Sequence, residues 1–226
     1  MNLIDLLPEL ADQTPPIVVA SLNPIDGEAS FFKPVRVMLT VDGQHSVTRE
    51  ITNGGKGVGV LLHDPHAQTV LLVEEPAAGA NYHQRHNPQF RFAGLICGHV
   101  KPDEEPVAAV LREVKEETGL VSPTIRQNSI SPIAPPMYVG GTITNGTMQL
   151  FYAQAELGDL QTRQLTDNPW RGETDQDGKN IEFVRPWVVP IDHFLQTALD
   201  VGKGPHSMTA VMAAQWLSRN LHLLVR

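Results

Sequence analysis

Gly98-His99-Val100-Lys101-Pro102-Asp103-Glu104-Glu105-Pro106-Val107-Ala108-Ala109-Val110-Leu111-Arg112-Glu113-Val114-Lys115-Glu116-Glu117-Thr118-Gly119-Leu120 reads as a loop that enters a helix and leaves it at a glycine. The pattern predicts a helix from Glu104 to Thr118, with Asp103 as N-cap, Pro106 in the first turn and Gly119 as the stop. Glu113, Glu116 and Glu117 stand at i,i+3 and i,i+4, so their carboxylates share one face. Val107, Val110, Leu111 and Val114 form another side, expected to pack on a sheet. Taken alone, such an acidic helix face is usually just solvated. In a partly dry cleft its carboxylates repel one another, and Arg112 compensates for one charge at most. Oxygen donors with no Cys or His cluster suit a hard cation such as Mg²⁺ or Mn²⁺ rather than zinc.

Outward from this helix, β-rich runs dominate. Val35, Val37, Leu39 and Val41 alternate with Arg36, Met38 and Thr40, Asp42-Gly43 is a hairpin turn, and Ser46 to Thr52 returns. Further strands are expected at Gly57–Leu62, Thr69–Val73, Gln89–Cys97, Met148–Ala155 and Phe183–Val189. A short amphipathic helix is expected at Asn2–Ala11, and two helices at Ile191–Val201 and Ser207–Leu221. In the last, Met208, Val211, Met212, Gln215 and Trp216 recur at helical spacing and read as packing. Strands with few intervening helices indicate an α+β class with a mixed sheet. Residues 1–54 would form an N-terminal helix and small antiparallel sheet, and 55–226 the main domain.

The net charge of -8 disfavours a nucleic-acid-coating role, because phosphate backbones would be repelled. The single cysteine, Cys97, allows no intrachain disulfide, and no apolar run approaches the length of a membrane span. A cytoplasmic enzyme with no membrane partner is the expectation.

The stretch from Gly98 matches G-x5-E-x7-R-E-U-x-E-E-x-G-U, where U is a bulky aliphatic, at every fixed position over 23 residues. On these residues the chain resembles the Nudix hydrolase superfamily. The resemblance implies an α/β/α sandwich with a mixed sheet, the motif forming loop-helix-loop. It implies Glu113 and Glu117 as principal metal ligands, with Glu116 as a further ligand or water-positioning group. Arg112 would hold the glutamates, Glu104 would pair with Arg112 or support another metal, and Cys97 would offer its backbone carbonyl to the metal. The implied chemistry is metal-assisted cleavage of a diphosphate bond.

Roughly residues 33–221 are also similar to ADP-ribose pyrophosphatases, with Pro135 at 15 residues past Leu120 and Gly140-Gly141-Thr142 following it. That likeness implies a small nucleoside diphosphate sugar as substrate and a homodimer that exchanges its N-terminal region. Asp177 best matches the catalytic base, and Glu173 is a second candidate; both lie in an acidic, Gly-containing run that equally suits a solvated loop. Phe92, with Phe90, can stack on a base or simply pack in a strand. Tyr138 resembles a tyrosine of dinucleoside polyphosphate hydrolases, or is structural. The chain also departs from the pattern: Gly94 stands where a glutamate is usual, Pro76-Ala77-Ala78 has no basic residue, Ile143-Thr144-Asn145 has no acid, and Lys179 replaces one. Besides ADP-ribose, another diphosphate or a low-turnover ligand sensor is therefore a competing reading.

Overall fold

The computed structural model describes residues 3–7, 33–41, 45–75, 91–121, 124–138, 146–160, 184–200 and 207–224. After α1 (Leu3–Leu6), β1 (Lys33–Val41) and β2 (His45–Asn53) pair antiparallel in a two-stranded sheet of their own, from Lys33 opposite Asn53 to Val41 opposite His45. A second sheet holds β3 (Lys56–Asp64), β4 (Thr69–Glu74), β5 (Ala93–Gly94), β6 (Ile96–His99), β7 (Ser131–Pro132), β8 (Met137–Tyr138), β9 (Thr147–Gln154) and β10 (Arg185–Pro190). Its main path is β10-β4-β3-β9-β7. β3 and β9 run parallel while the other described pairs are antiparallel, so the sheet is mixed.

The expected strand Gln89–Cys97 is not one strand. Within the described part it breaks at Leu95, leaving β5 on β4 and β6 on β3. The reason lies in β3: its first half, Gly57–Val60, pairs with β6, and its end, Leu62–Asp64, pairs with β4. β5 and β6 thus fill the wedge where β3 and β4 diverge. The turn closing β3 onto β4 is held by Asp64. Its Oδ1 accepts the N–H groups of His66 (2.9 Å) and Ala67 (3.0 Å), and Oδ2 accepts that of Leu157 (2.9 Å). Burial pushes this carboxyl up, but those three N–H bonds outweigh it and keep it ionised.

Strand alternation builds two cores. Val58, Val60, Leu62, Leu71, Val73, Phe151 and Ala153 face α2 (Pro106–Thr118), which lays Ala109, Val110 and Val114 on them. Leu61, Val70, Leu72, Leu150, Tyr152, Trp187 and Val189 face α3 (Ile191–Leu199) and α4 (Met208–Leu224). The result is a three-layer α/β/α sandwich. Each fully buried aliphatic chain of this kind contributes about 1.5–3 kcal/mol. Leu6 and Leu7 also enter the second core, and the Leu6 carbonyl lies 3.2 Å from His193 Nδ1.

Three expectations are corrected. Val107 is exposed rather than packed on the sheet, because Ala109 takes the sheet-facing position. In α4 the buried face is Ala210, Ala213, Ala214 and Leu217, while Met208 and Gln215 are exposed. Small residues let this helix approach the sheet closely; bulky ones flank the contact. Asp103 is not the N-cap: it adopts φ 62°, and Glu105 precedes the helix without a side-chain cap bond. Glu104 instead closes the turn, its N–H donating to the Lys101 carbonyl and its carboxylate accepting the Lys101 N–H. Among the described residues, no helix is long and apolar enough to cross a membrane.

Candidate active site

Pro106 opens α2 at a position where its missing N–H costs nothing. Gly119 ends the helix at φ 74°, and the Thr118 hydroxyl donates to the Val114 carbonyl while accepting the Leu120 N–H. The glutamate face is thereby fixed over β6. Glu113 and Glu117 sit one turn apart and are buried, at 6% and 1% exposure. Glu116 points outward, its side chain 25% exposed.

Arg112 is the hub. Its Nε and Nη2 donate to the two oxygens of Glu104 at 2.9 and 3.0 Å. Its Nη1 donates to Glu113 at 2.7 Å and Glu116 at 2.9 Å, and Nη2 also reaches the His99 carbonyl at 2.7 Å. The guanidinium holds the Glu104 carboxyl down at about 2, helped by the Lys101 N–H. Paired mainly with Glu104, then Glu113 and Glu116, Arg112 is locked in its charged form. One guanidinium cannot neutralise three carboxylates, so the cluster remains negative. His99 takes part through its backbone, since its carbonyl anchors Arg112.

β6 brings the other half. Gly98 pairs opposite Val58 beneath Glu113. A β-carbon at Gly98 would run into the Glu113 carboxylate, so only glycine lets that side chain lie there. Next to it, burial pushes the Cys97 thiol up, and the charges of Glu117, Glu75 and Glu113 push it further; the Thr209 hydroxyl opposes them. A soft thiol is a poor match for a hard cation such as Mg²⁺, so the atom of Cys97 suited to one is its backbone carbonyl. Among the described residues, no three His, Cys, Asp or Glu side chains form a ready-made metal cage. Two buried carboxylates beside a backbone oxygen do suit Mg²⁺, which takes one or two carboxylates and keeps water and substrate oxygens for the rest.

The remaining candidates are spread out. Tyr138 is 72% exposed on β8, opposite Thr147. Thr147 pairs with Lys56, and neighbouring Gly57 with His99, so Tyr138 shares the sheet end of the glutamates, roughly 14 Å across three strand spacings. Pro135 is exposed in the bend before β8. Phe92 is half-buried, its ring 3.4 Å from where a Gly94 β-carbon would sit. Phe90, Glu173, Asp177 and Gly140-Gly141-Thr142 lie outside the described residues. Sequence reasoning passed over Glu74 and Glu75. Two adjacent acids closing the apolar run Val70–Val73 were the available signal.

Comparison with known proteins agrees with this geometry. The sequence profile described as the NUDIX domain matches residues 55–207. The ADP-ribose pyrophosphatase of Haemophilus influenzae (strain ATCC 51907 / DSM 11121 / KW20 / Rd) is 38% identical over 74 residues. That alignment spans only about a third of each protein, 33% of this chain and 34% of the relative. The crystal structure of an ADP compounds hydrolase superposes with a TM-score of 0.57 at 17% identity, covering 92% of this chain and 96% of that one. At that identity the likeness concerns the fold.

Proposed function

Because the chain belongs to the NUDIX domain family, we propose that it is a divalent-cation-dependent pyrophosphohydrolase. Its substrate is ADP-ribose or a related nucleoside diphosphate sugar, released as a nucleoside monophosphate and a sugar phosphate. The observation that carries this reading is the pair of buried carboxylates one helical turn apart, Glu113 and Glu117, with Glu113 held over Gly98 by Arg112. Glu113, Glu117 and the Cys97 carbonyl would hold the cation. Such an ion neutralises diphosphate oxygens and makes water more acidic.

The chain's own residues do the rest. Arg112 fixes the direction of Glu113 and Glu116, so the site is organised before substrate arrives. Glu104 ties the entering loop to the helix through Lys101 and Arg112. Proton removal is assigned to Asp177 or Glu173 of the acidic run. Phe92 and Pro135 are the proposed substrate contacts. A second reading, a dinucleoside polyphosphate, draws on the exposure of Tyr138 at the same sheet end.

The test is a panel of nucleoside diphosphate sugars and dinucleoside polyphosphates with Mg²⁺ or Mn²⁺, products identified by mass, in heavy-oxygen water. One phosphate product should carry the heavy oxygen. Binding of ADP-ribose without cation-dependent cleavage of any compound would replace the hydrolase with a ligand sensor. On the best substrate of that panel, Gly98→Ala is expected to lower kcat about 100-fold, since the new methyl displaces the Glu113 carboxylate by an ångström or more. A variant with wild-type kcat would show that Glu113 need not lie where it does.

A further inference from the structure

The C-terminal half of α4, together with β7 and β9, borders an open cavity of about 350 Å³. That volume falls at the lower end of small-molecule sites. The cavity lies on the face of the sheet opposite α2, since its Tyr152, Trp216 and Leu224 all pack in the second core. It also lies at the other end of the strands. Gln154 in its lining pairs with His63, whereas Glu113 lies over Gly98, which pairs with Val58. Five residues of β3 separate those two points, roughly 17 Å. The cavity is therefore distinct from the candidate active site.

One wall is aromatic and fixed. The Tyr152 and Trp216 rings meet with centroids 4.9 Å apart, tilted by 41°. The Tyr152 hydroxyl is tied at 3.0 Å to Nδ1 of fully buried His63, which sets the ring before any ligand arrives. Leu223, 56% exposed, adds aliphatic surface. The polar groups of the lining have bonding capacity to spare. Asn220 Nδ2 donates to the Trp216 carbonyl at 2.8 Å, which leaves Oδ1 as an acceptor. Among the described residues, that oxygen, the Ser131 hydroxyl and the Trp216 indole N–H have no protein partner. No charged side chain lines the cavity; Arg126 bonds Gln154 Oε1 at 3.4 Å but is not part of the lining.

This lining selects a ligand chemistry. A phosphate or carboxylate would lose hydration here without gaining a countercharge. An aliphatic chain would leave the donors and the acceptor unmatched. A flat ring with a donor and an acceptor on its edge meets both demands, its face on the aromatic wall and its edge on the amide and hydroxyl. We propose that the cavity is a second binding site, for an uncharged heteroaromatic compound of purine size that rests on Tyr152 and Trp216 and is hydrogen-bonded by Asn220 and Ser131. The site stands whether or not the hydrolase reading holds.

The experiment titrates the full-length, ¹⁵N-labelled protein with adenine, without divalent cation. It follows the indole N–H signal of Trp216, assigned by its loss in Trp216→Phe. A saturable shift of that signal is expected. Asn220→Ala, on a half-buried position of α4, should weaken adenine binding about tenfold with an unchanged melting temperature. Ser131→Leu, which fills the cavity, should abolish binding; if that variant does not fold, Asn220→Ala decides alone. Phe92→Ala and Tyr138→Ala, which remove the rings considered for the catalytic site, should bind adenine as wild type does. No saturable shift at Trp216, or wild-type affinity in Asn220→Ala, overturns the proposal. Loss of binding in Phe92→Ala or Tyr138→Ala alone overturns it too, because the ring would then sit in the catalytic site.

Discussion

Glu74→Gln is expected to lower stability by about 3–5 kcal/mol, the cost of removing one partner from a buried ion pair. Glu74 is 1% exposed. Its Oε1 accepts Arg91 Nε at 2.7 Å, and its Oε2 accepts Arg91 Nη2 (2.7 Å), Arg185 Nε (3.0 Å), Arg185 Nη2 (2.8 Å) and Trp187 Nε1 (3.0 Å). Both guanidiniums also lie over the Trp187 ring, at 5.5 and 5.2 Å from its centroid. One carboxylate therefore binds β4, β10 and the segment entering β5, and the glutamine leaves two buried cations facing an uncharged amide. In thermal melts the change corresponds to roughly 6–20 °C, against little change for exposed Glu156→Gln. Burial pushes the Glu74 carboxyl up, but Arg91 and Arg185 outweigh it and hold it below its ordinary range. The folded value is thus depressed relative to the unfolded chain. The stabilisation is complete above the ordinary glutamate range and is lost as pH falls through the depressed value. The gap between wild type and Glu74→Gln should be full at pH 7 and shrink in acid. A melting temperature within about 2 °C of wild type at pH 7 would remove the node from the account of this fold.

The node also shows what a sequence can and cannot disclose. The face of α2 was readable because helical geometry converts fixed spacing into fixed direction: Glu113 and Glu117 are one turn apart in any helix. The glycine at 98 was readable as an identity, though its cause, the carboxylate lying across it, is spatial. Glu74 meets Arg91 and Arg185 across 17 and 111 residues, and no local rule links them. The split of β5 from β6 depends on how β3 divides its pairing between β6 and β4, which lies outside the strand's own residues. In α4, Met208 and Trp216 dominate any periodicity by size, whereas the close contact is made by Ala210, Ala213 and Ala214. Asp103 has the composition of an N-cap, but the Glu104 carboxylate engages Lys101 and Arg112 and moves the start of the helix to Pro106. Departures in sequence were informative too: Gly94, which lacks the usual side chain, borders the carboxylate of Glu75.

Glu117→Gln is expected to reduce kcat by roughly 10³-fold on the best substrate, with the fold intact. The amide keeps the shape of the buried side chain and removes its charge, so packing beneath α2 is preserved. What is lost is the cation's contribution to transition-state charge, several kcal/mol, and each 1.4 kcal/mol is about a factor of ten. Glu116→Gln should cost far less, about tenfold, because its side chain is partly exposed and leans on Arg112. The two variants differ by one position along the same helix, so a general effect on α2 cannot separate them. Stability supplies a second readout. Mg²⁺ at 100 times its dissociation constant should raise wild-type stability by about 2.7 kcal/mol, and Glu117→Gln should lose that response. Without cation, removing one of two buried like charges should leave the melting temperature equal or higher. Wild-type kcat at saturating Mg²⁺ in Glu117→Gln would show that this carboxylate does not hold the ion. A large loss in Glu116→Gln with none in Glu117→Gln would move the reacting centre to the outer face of the helix.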